Sequence, residues 1–297
     1  MVRLGEYQVY EDLPIARGGN CTIFECLHVP TNVCYAAKVV NISETSAHFE
    51  KEVSVLRRLS ACEYIIQLQH AYTFDDYGIM IFPKYPFDLL TVLNTEGEQV
   101  LSMEIRYSIF RVLCEATRYL HDHGYVHLDL KPENVLLSAD FTQVIICDLG
   151  CSRKLNSKSS KVRNHLGGTL EYSPPEVCKE KSKVNGKKVD IWGLGIIYHI
   201  LFTFKFPFAK SKNLKSEISN GNITIAGDSL SVPQRNFVSK MLHVKHTKRC
   251  NIHSLINNLN ILLEEFNVTP VPVLRSRSRR RTLAKLRRSL LRQHTSL

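Results

Sequence analysis

A chain of 297 residues is the size of one large domain or two small ones, which excludes a peptide hormone, a short module and a long repeat array. With 44% hydrophobic and 23% charged residues, 14 Gly and 11 Pro, it can bury a sizeable core and lacks a disordered or fibrous bias. Nine of its eleven net positive charges lie between Arg275 and Leu297, so the rest of the chain is nearly neutral.

The first forty residues alternate apolar and polar positions with glycine punctuation, as in Thr22-Ile23-Phe24-Glu25-Cys26, and predict short antiparallel strands. A helix follows, with Phe49, Val53, Leu56 and either Ser60 or Leu59 at spacings of three and four. A second strand pair is predicted at Ile65-Ile66-Gln67-Leu68 and at Tyr77 to Phe82, ending at Pro83. From Met103 to His123 one stripe carries Ile105, Ile109, Val112, Ala116 and Leu120, and Gly124 supplies the stop. Two short apolar runs come next, Asn134 to Leu137 and Val144 to Cys147, then a basic, serine-rich loop from Arg153 to Asn164. A buried helix near Trp192 and amphipathic segments around Phe237 and Leu255 close the body. A β-rich first part and a larger helical second part predict a two-lobed α+β fold, with a cleft at the join near residues 82 to 88.

The longest apolar stretch, Ile191 to Phe204, is interrupted by His199 and too short for a bilayer. The N-terminus has acids where a signal peptide needs an apolar run. Nine cysteines without a C-x-x-C pair fit reduced thiols rather than a disulfide framework or zinc site. These features predict a soluble intracellular protein of the cytoplasm or nucleus.

The chemistry concentrates in His127-Leu128-Asp129-Leu130-Lys131-Pro132-Glu133-Asn134, followed by Asp148-Leu149-Gly150. An acid, a lysine two residues on, an amide five residues on and a second acid beyond two short strands would supply a base, a phosphate contact and two metal ligands. Phosphoryl transfer requires those parts.

This run resembles the H-R-D-L-x-x-x-N catalytic loop of the eukaryotic-type serine/threonine protein kinases, and Asp148-Leu149-Gly150 resembles their D-F-G. Lys38 sits where V-A-I-K places its lysine, with Glu52 as its expected partner in preference to Glu50. The stretch Gly168 to Glu176 resembles the one ending in A-P-E, and Asp190, Trp192 and Arg249 match structural positions of the larger lobe. The run from Phe82 to Leu89 is reminiscent of kinases from large DNA viruses. The resemblance implies residues 1–84 as an N-terminal lobe, 85–267 as a C-terminal lobe and 268–297 as a basic flexible tail.

It further implies a two-lobed kinase-like fold that binds ATP and Mg²⁺ and phosphorylates a protein serine or threonine. Asp129, Lys131 and Asn134 would be catalytic, and Asn134 and Asp148 would hold the metal. Ile15, Gly18, Gly19, Ile23, Ala36, Lys38, Glu52, Phe82 and Tyr85 would surround the nucleotide, with Pro83 carbonyl and Tyr85 N–H meeting the adenine. Lys131, two residues after the catalytic acid, marks the serine/threonine pattern, and Glu133 would favour an arginine near the target hydroxyl.

The pattern also departs from the family. Ala16-Arg17-Gly18-Gly19-Asn20-Cys21 keeps only the middle glycine of G-x-G-x-x-G in register, and Cβ atoms at 16 and 21 restrict a backbone that must approach phosphates. Leu128 replaces the arginine that pairs with an activation-segment phosphate, so activity is not expected to need phosphorylation at Ser157, Ser159 or Ser160. Those departures favour a pseudokinase scaffold as the alternative. A third reading places the function in the basic tail, Arg275 to Arg292, as a nuclear import signal or a non-specific nucleic-acid contact.

Overall fold

The computed structural model describes residues 1–19, 21–43, 46–95, 97–156, 159–163, 168–179, 181–208, 213–225 and 229–269. The expectations for Asn20, Ser157 and the tail 275–297 therefore lie outside the described residues. Two compact units emerge, Met1–Lys84 with Cys147–Ser152, and Tyr85–Ile146 with the chain from Arg153 onward.

In the first unit, β1 (Val2–Leu4), β2 (Tyr7–Arg17), β3 (Cys21–His28), β4 (Val33–Asn41), β5 (His70–Phe74) and β6 (Tyr77–Pro83) form one antiparallel sheet in the order β1-β2-β3-β4-β6-β5. The predicted alternation is what divides its faces: Val9, Cys26, Ala37, Ile79 and Ile81 build the core on one side. The pairings Ile23↔Lys38, Lys38↔Met80 and Ala36↔Phe82 put those residues on the other. Helix α1 (Ala47–Arg58) buries Phe49, Glu52, Val53 and Leu56. Gly78 lets it approach, since a Cβ there would fall 2.5 Å from the Phe49 ring.

One strand is displaced from its predicted position. The partner of β6 is β5, not Ile65-Ile66-Gln67-Leu68. The Gln67 amide donates to the carbonyls of Cys62 (2.9 Å) and Ile65 (2.7 Å), which ties that stretch locally, outside any named strand, while Ile65 and Ile66 remain buried.

The second unit is mainly helical. It runs β7 (Phe87–Asp88), α2 (Leu89–Thr95), α3 (Gly97–Val100), α4 (Met103–Asp122), β8 (Tyr125–Val126), β9 (Val135–Leu137), β10 (Val144–Ile146), β11 (Arg153–Lys154), β12 (Lys161–Arg163), α5 (Pro175–Cys178), β13 (Lys183–Asn185), α6 (Gly186–Thr203), α7 (Leu214–Asn220), α8 (Val232–Ser239) and α9 (Ile252–Glu265). Helix α4 ends as predicted: His123 caps it and Gly124 adopts φ +74°. Helix α6 is buried on nearly all sides, which explains its continuous apolar character; a Cβ at Gly195 would lie 2.7 Å from Leu242. The stretch predicted as a plain loop, Arg153 to Asn164, instead contributes two strands: β11 pairs with β8 and β12 with β13. No helix among the described residues is long and apolar enough to cross a membrane.

Candidate active site

In the first unit, strand β4 delivers Lys38 to a pair of carboxylates. Its Nζ donates to Glu52 Oε1 at 2.7 Å and to Asp148 Oδ1 at 2.9 Å. Burial works against this ammonium, and the two carboxylates outweigh it, so its pKa lies above the ordinary lysine range. Glu50, one helical face away, instead accepts a bond from Ser46 Oγ at 2.6 Å. Asp148 adopts φ +60°, a strained conformation for a residue with a Cβ, and its side chain is 43% exposed while that of Glu52 is 8% exposed. Gly150 follows because space is short: a Cβ there would sit 3.3 Å from Asp148 Oδ1 and 3.4 Å from Glu52 Oε2.

The second unit assembles a separate group around Asp129, which is buried. Its Oδ1 accepts from the Thr169 N–H at 2.9 Å, and its Oδ2 accepts from Asn134 Nδ2 at 3.2 Å and lies 3.1 Å from Lys131 Nζ. Asn134 Nδ2 also donates to the Asp129 carbonyl at 2.8 Å, and Lys131 Nζ donates to Thr169 Oγ1 at 2.6 Å. Beneath lies a buried clamp. Asp190 accepts from the His127 and Leu128 N–H groups at 3.0 and 2.8 Å and lies 2.8 Å from His121 Nε2. This holds Leu128 at φ +72°, where an unsupported leucine would be strained. Gly168 brings the Thr169 segment close, since a Cβ there would lie 3.0 Å from the Leu128 carbonyl.

Each unit, taken by itself, offers oxygen donors of the kind a hard cation takes. Asp148 offers an exposed carboxylate, and Asn134 spends both amide hydrogens on Asp129, which turns its oxygen elsewhere; oxygen is the donor Mg²⁺ prefers. At the β2–β3 turn a Cβ on Gly19 would meet nothing within 4 Å, while one on Gly18 would meet Cys21 Sγ at 3.3 Å. Cys21, which stands where the family has its third glycine, is half-buried; burial raises its thiol pKa and Lys38 opposes the shift. Ile23, Ala36 and Phe82 share the Lys38 face of the sheet. Ile15 falls in the bulge of β2, outside the cross-strand pairs, and is 46% exposed. Tyr85 is the first residue of the second unit, and burial raises its phenol pKa.

The profile of the protein kinase domain family matches residues 10–259. The chain belongs to that family. This kinase domain is 28% identical over 265 residues to the serine/threonine-protein kinase dkf-1 of Caenorhabditis elegans, covering 85% of this chain and 36% of the relative. It is 30% identical over 253 residues to the calcium/calmodulin-dependent protein kinase cmkB of Emericella nidulans, covering 79% and 60%. Ribosomal protein S6 kinase 2 alpha of Gallus gallus is 28% identical over 271 residues, covering 85% and 34%. The chain thus spans between about a third and three-fifths of the length of these relatives.

Two contacts of this kinase domain were not drawn from its sequence. Thr169 is the first: it belonged to a quoted motif, yet its bonds to both Asp129 and Lys131 depend on a fold-back of about forty residues. The second is the buried pair of Arg249 with Glu176, bidentate at 2.7 and 2.8 Å, under which Trp192 lies with its ring centre 4.7 Å from the guanidinium. Leu149, in place of the family's phenylalanine, is buried, and Pro174 precedes α5, its carbonyl accepting from Val177 and Cys178.

Proposed function

We propose that this kinase domain is a serine/threonine kinase that transfers the γ-phosphate of Mg-ATP to a protein hydroxyl. The observation that carries the reading is Lys38, a buried cation held between Glu52 and Asp148. When bound, Mg-ATP supplies the transferable phosphoryl group and a cation that offsets charge on its oxygens. Lys38 would hold the α- and β-phosphates, positioned by Glu52. Asp148 and Asn134 would be the metal's oxygen ligands, and Lys131 would meet the γ-phosphate. Asp129, aimed by the Thr169 N–H and the Asn134 amide, would accept the proton of the substrate hydroxyl. The names of the relatives and the Lys131 position support serine or threonine as the acceptor.

A transfer assay on a generic basic protein, with Asp148→Ala as the blank, tests this. The wild-type chain should label the acceptor and the variant should not. Equal signal from both removes the enzyme and leaves the scaffold reading, which the incomplete glycine motif favours.

We also infer that activity needs no phosphate on the segment after Asp148. Leu128, in place of an arginine, packs with Val126, Val162, Val184 and Val189 as an apolar cluster. The segment is further tied by the β11–β8 and β12–β13 pairs, by Leu155 N–H to the Gly124 carbonyl at 2.7 Å, and by Gly186 N–H to the Ser160 carbonyl at 3.0 Å. An apolar plug and a backbone ladder therefore stand where a guanidinium and a phosphate would otherwise order the segment. Replacing Ser157, Ser159 and Ser160 together by Ala should leave phosphate transfer in place. Its abolition in a variant with an unchanged unfolding curve would contradict the inference.

A further inference from the structure

The β12–β13 ribbon has a second face. Val162 and Val184 stand directly opposite each other and are both buried, so the flanking pairs Lys161↔Asn185 and Arg163↔Lys183 point the other way. Lys161, Arg163 and Lys183 are exposed, and none has an acidic partner among the described residues. Arg163 opposite Lys183 sets two like charges about 5 Å apart at Cβ, an arrangement that weakens a ribbon unless an anion lies over it. Lys161 and Arg163 are two residues apart on one strand, which spaces their Cα atoms by about 6.8 Å. An extended peptide with carboxylates at alternate positions has the same repeat.

Distance along the chain ties this face to the Asp129 group. Gly168 lies five positions on from Arg163, a step that spans at most about 18 Å. A Cβ at Gly168 would lie 3.6 Å from Asp129 Oδ1. A peptide whose hydroxyl lies at Asp129 would reach the ribbon with side chains about five residues away.

We propose that the outer face of β12–β13 recognises an extended, Asp/Glu-bearing segment of the protein substrate, flanking its target hydroxyl. This rests on the kinase reading for its biological setting, but the surface itself can be tested without catalysis. The inward valines hold the ribbon in place, so the three cations are presented on a fixed frame rather than on a free loop.

The experiment uses the full chain and three peptides with one serine, bearing Asp, Asn or Arg at alternate positions within five residues of it. Binding is read by fluorescence anisotropy and turnover by kcat/KM, for wild type and for the triple variant Lys161→Gln/Arg163→Gln/Lys183→Gln. The Asp peptide should bind wild type about tenfold tighter than the Asn peptide, the effect of a few exposed ion pairs, and the advantage should shrink at high salt. In the triple variant that ratio should fall to about one, with the unfolding midpoint held or raised because like charges no longer face each other.

Binding of the Asp peptide without turnover of any peptide would keep the surface and remove the kinase reading. Turnover with no Asp-over-Asn preference, or with an Asp preference that survives in the triple variant, would overturn the surface and keep the kinase. Preference for the Arg peptide, the pattern Glu133 would favour, would also overturn it. So would a phosphoserine peptide or a single-stranded oligonucleotide of equal charge that binds more than tenfold tighter than the Asp peptide.

Discussion

Asp129→Asn is expected to lower kcat for phosphate transfer by roughly 10²- to 10⁴-fold with the fold intact, the usual contribution of a positioned proton acceptor. The substitution preserves shape. An amide oxygen can still accept from the Thr169 N–H, which is 2.9 Å from Oδ1 in the native chain. What disappears is the carboxylate charge beside Lys131 and the oxygen that accepts from Asn134. KM for the peptide should change far less than kcat, because the lost interaction belongs to the reacting hydroxyl. Steady-state kinetics alongside a thermal unfolding curve make the check. A variant within about tenfold of wild-type kcat would remove Asp129 from the role of base.

Glu176→Ala is expected to have the largest effect on stability, about 3–5 kcal/mol in equilibrium urea unfolding. Arg249 is buried, and Glu176 takes two of its N–H bonds while the carbonyls of His243 and Lys188 take others. Removing the carboxylate leaves a guanidinium away from water with no countercharge, and a loss of that size is a large part of the stability of an ordinary domain. The double variant Glu176→Met/Arg249→Met separates charge from packing. It should recover much of the loss, because the desolvation cost vanishes with the cation. A single variant that loses less than about 1 kcal/mol would show the pair to be dispensable.

Much of the candidate site was legible in the order of its residues. Asp129, Lys131, Asn134 and Asp148 carry side chains whose chemistry is visible at once and whose spacing matches the parts phosphoryl transfer requires, and the family resemblance added Lys38 to them. Helical periodicity also separated Glu52 from Glu50, because a two-residue step moves to another helix face; in the fold it is Glu52 that meets Lys38. The contribution of Thr169 was not legible. Its N–H belongs to the backbone, and its target lies forty residues back in a loop.

The displaced strand and the ribbon have the same explanation. Ile65 and Ile66 have the composition of a strand, but Gln67 satisfies the nearby carbonyls locally, and the ladder position beside β6 goes to His70–Phe74. The segment around Lys161 looks like a loop by composition, since one valine among basic and polar residues leaves little apolar pattern. Its strand exists because Val162 finds Val184 across the ladder.

By itself, the sequence determined which functional groups the protein possesses, where α4 stops and that the first strands alternate an apolar with a polar face, since these depend on neighbours within a few residues. Only the tertiary structure decided which distant groups meet. The Lys38–Glu52–Asp148 cluster, the Thr169 contact to Asp129, and the ribbon with valines inward and cations outward depend on strand register and helix packing. A one-residue slip would turn each side chain to the opposite face, and although the alternation limits the register, it does not name the distant segment that each strand or helix meets.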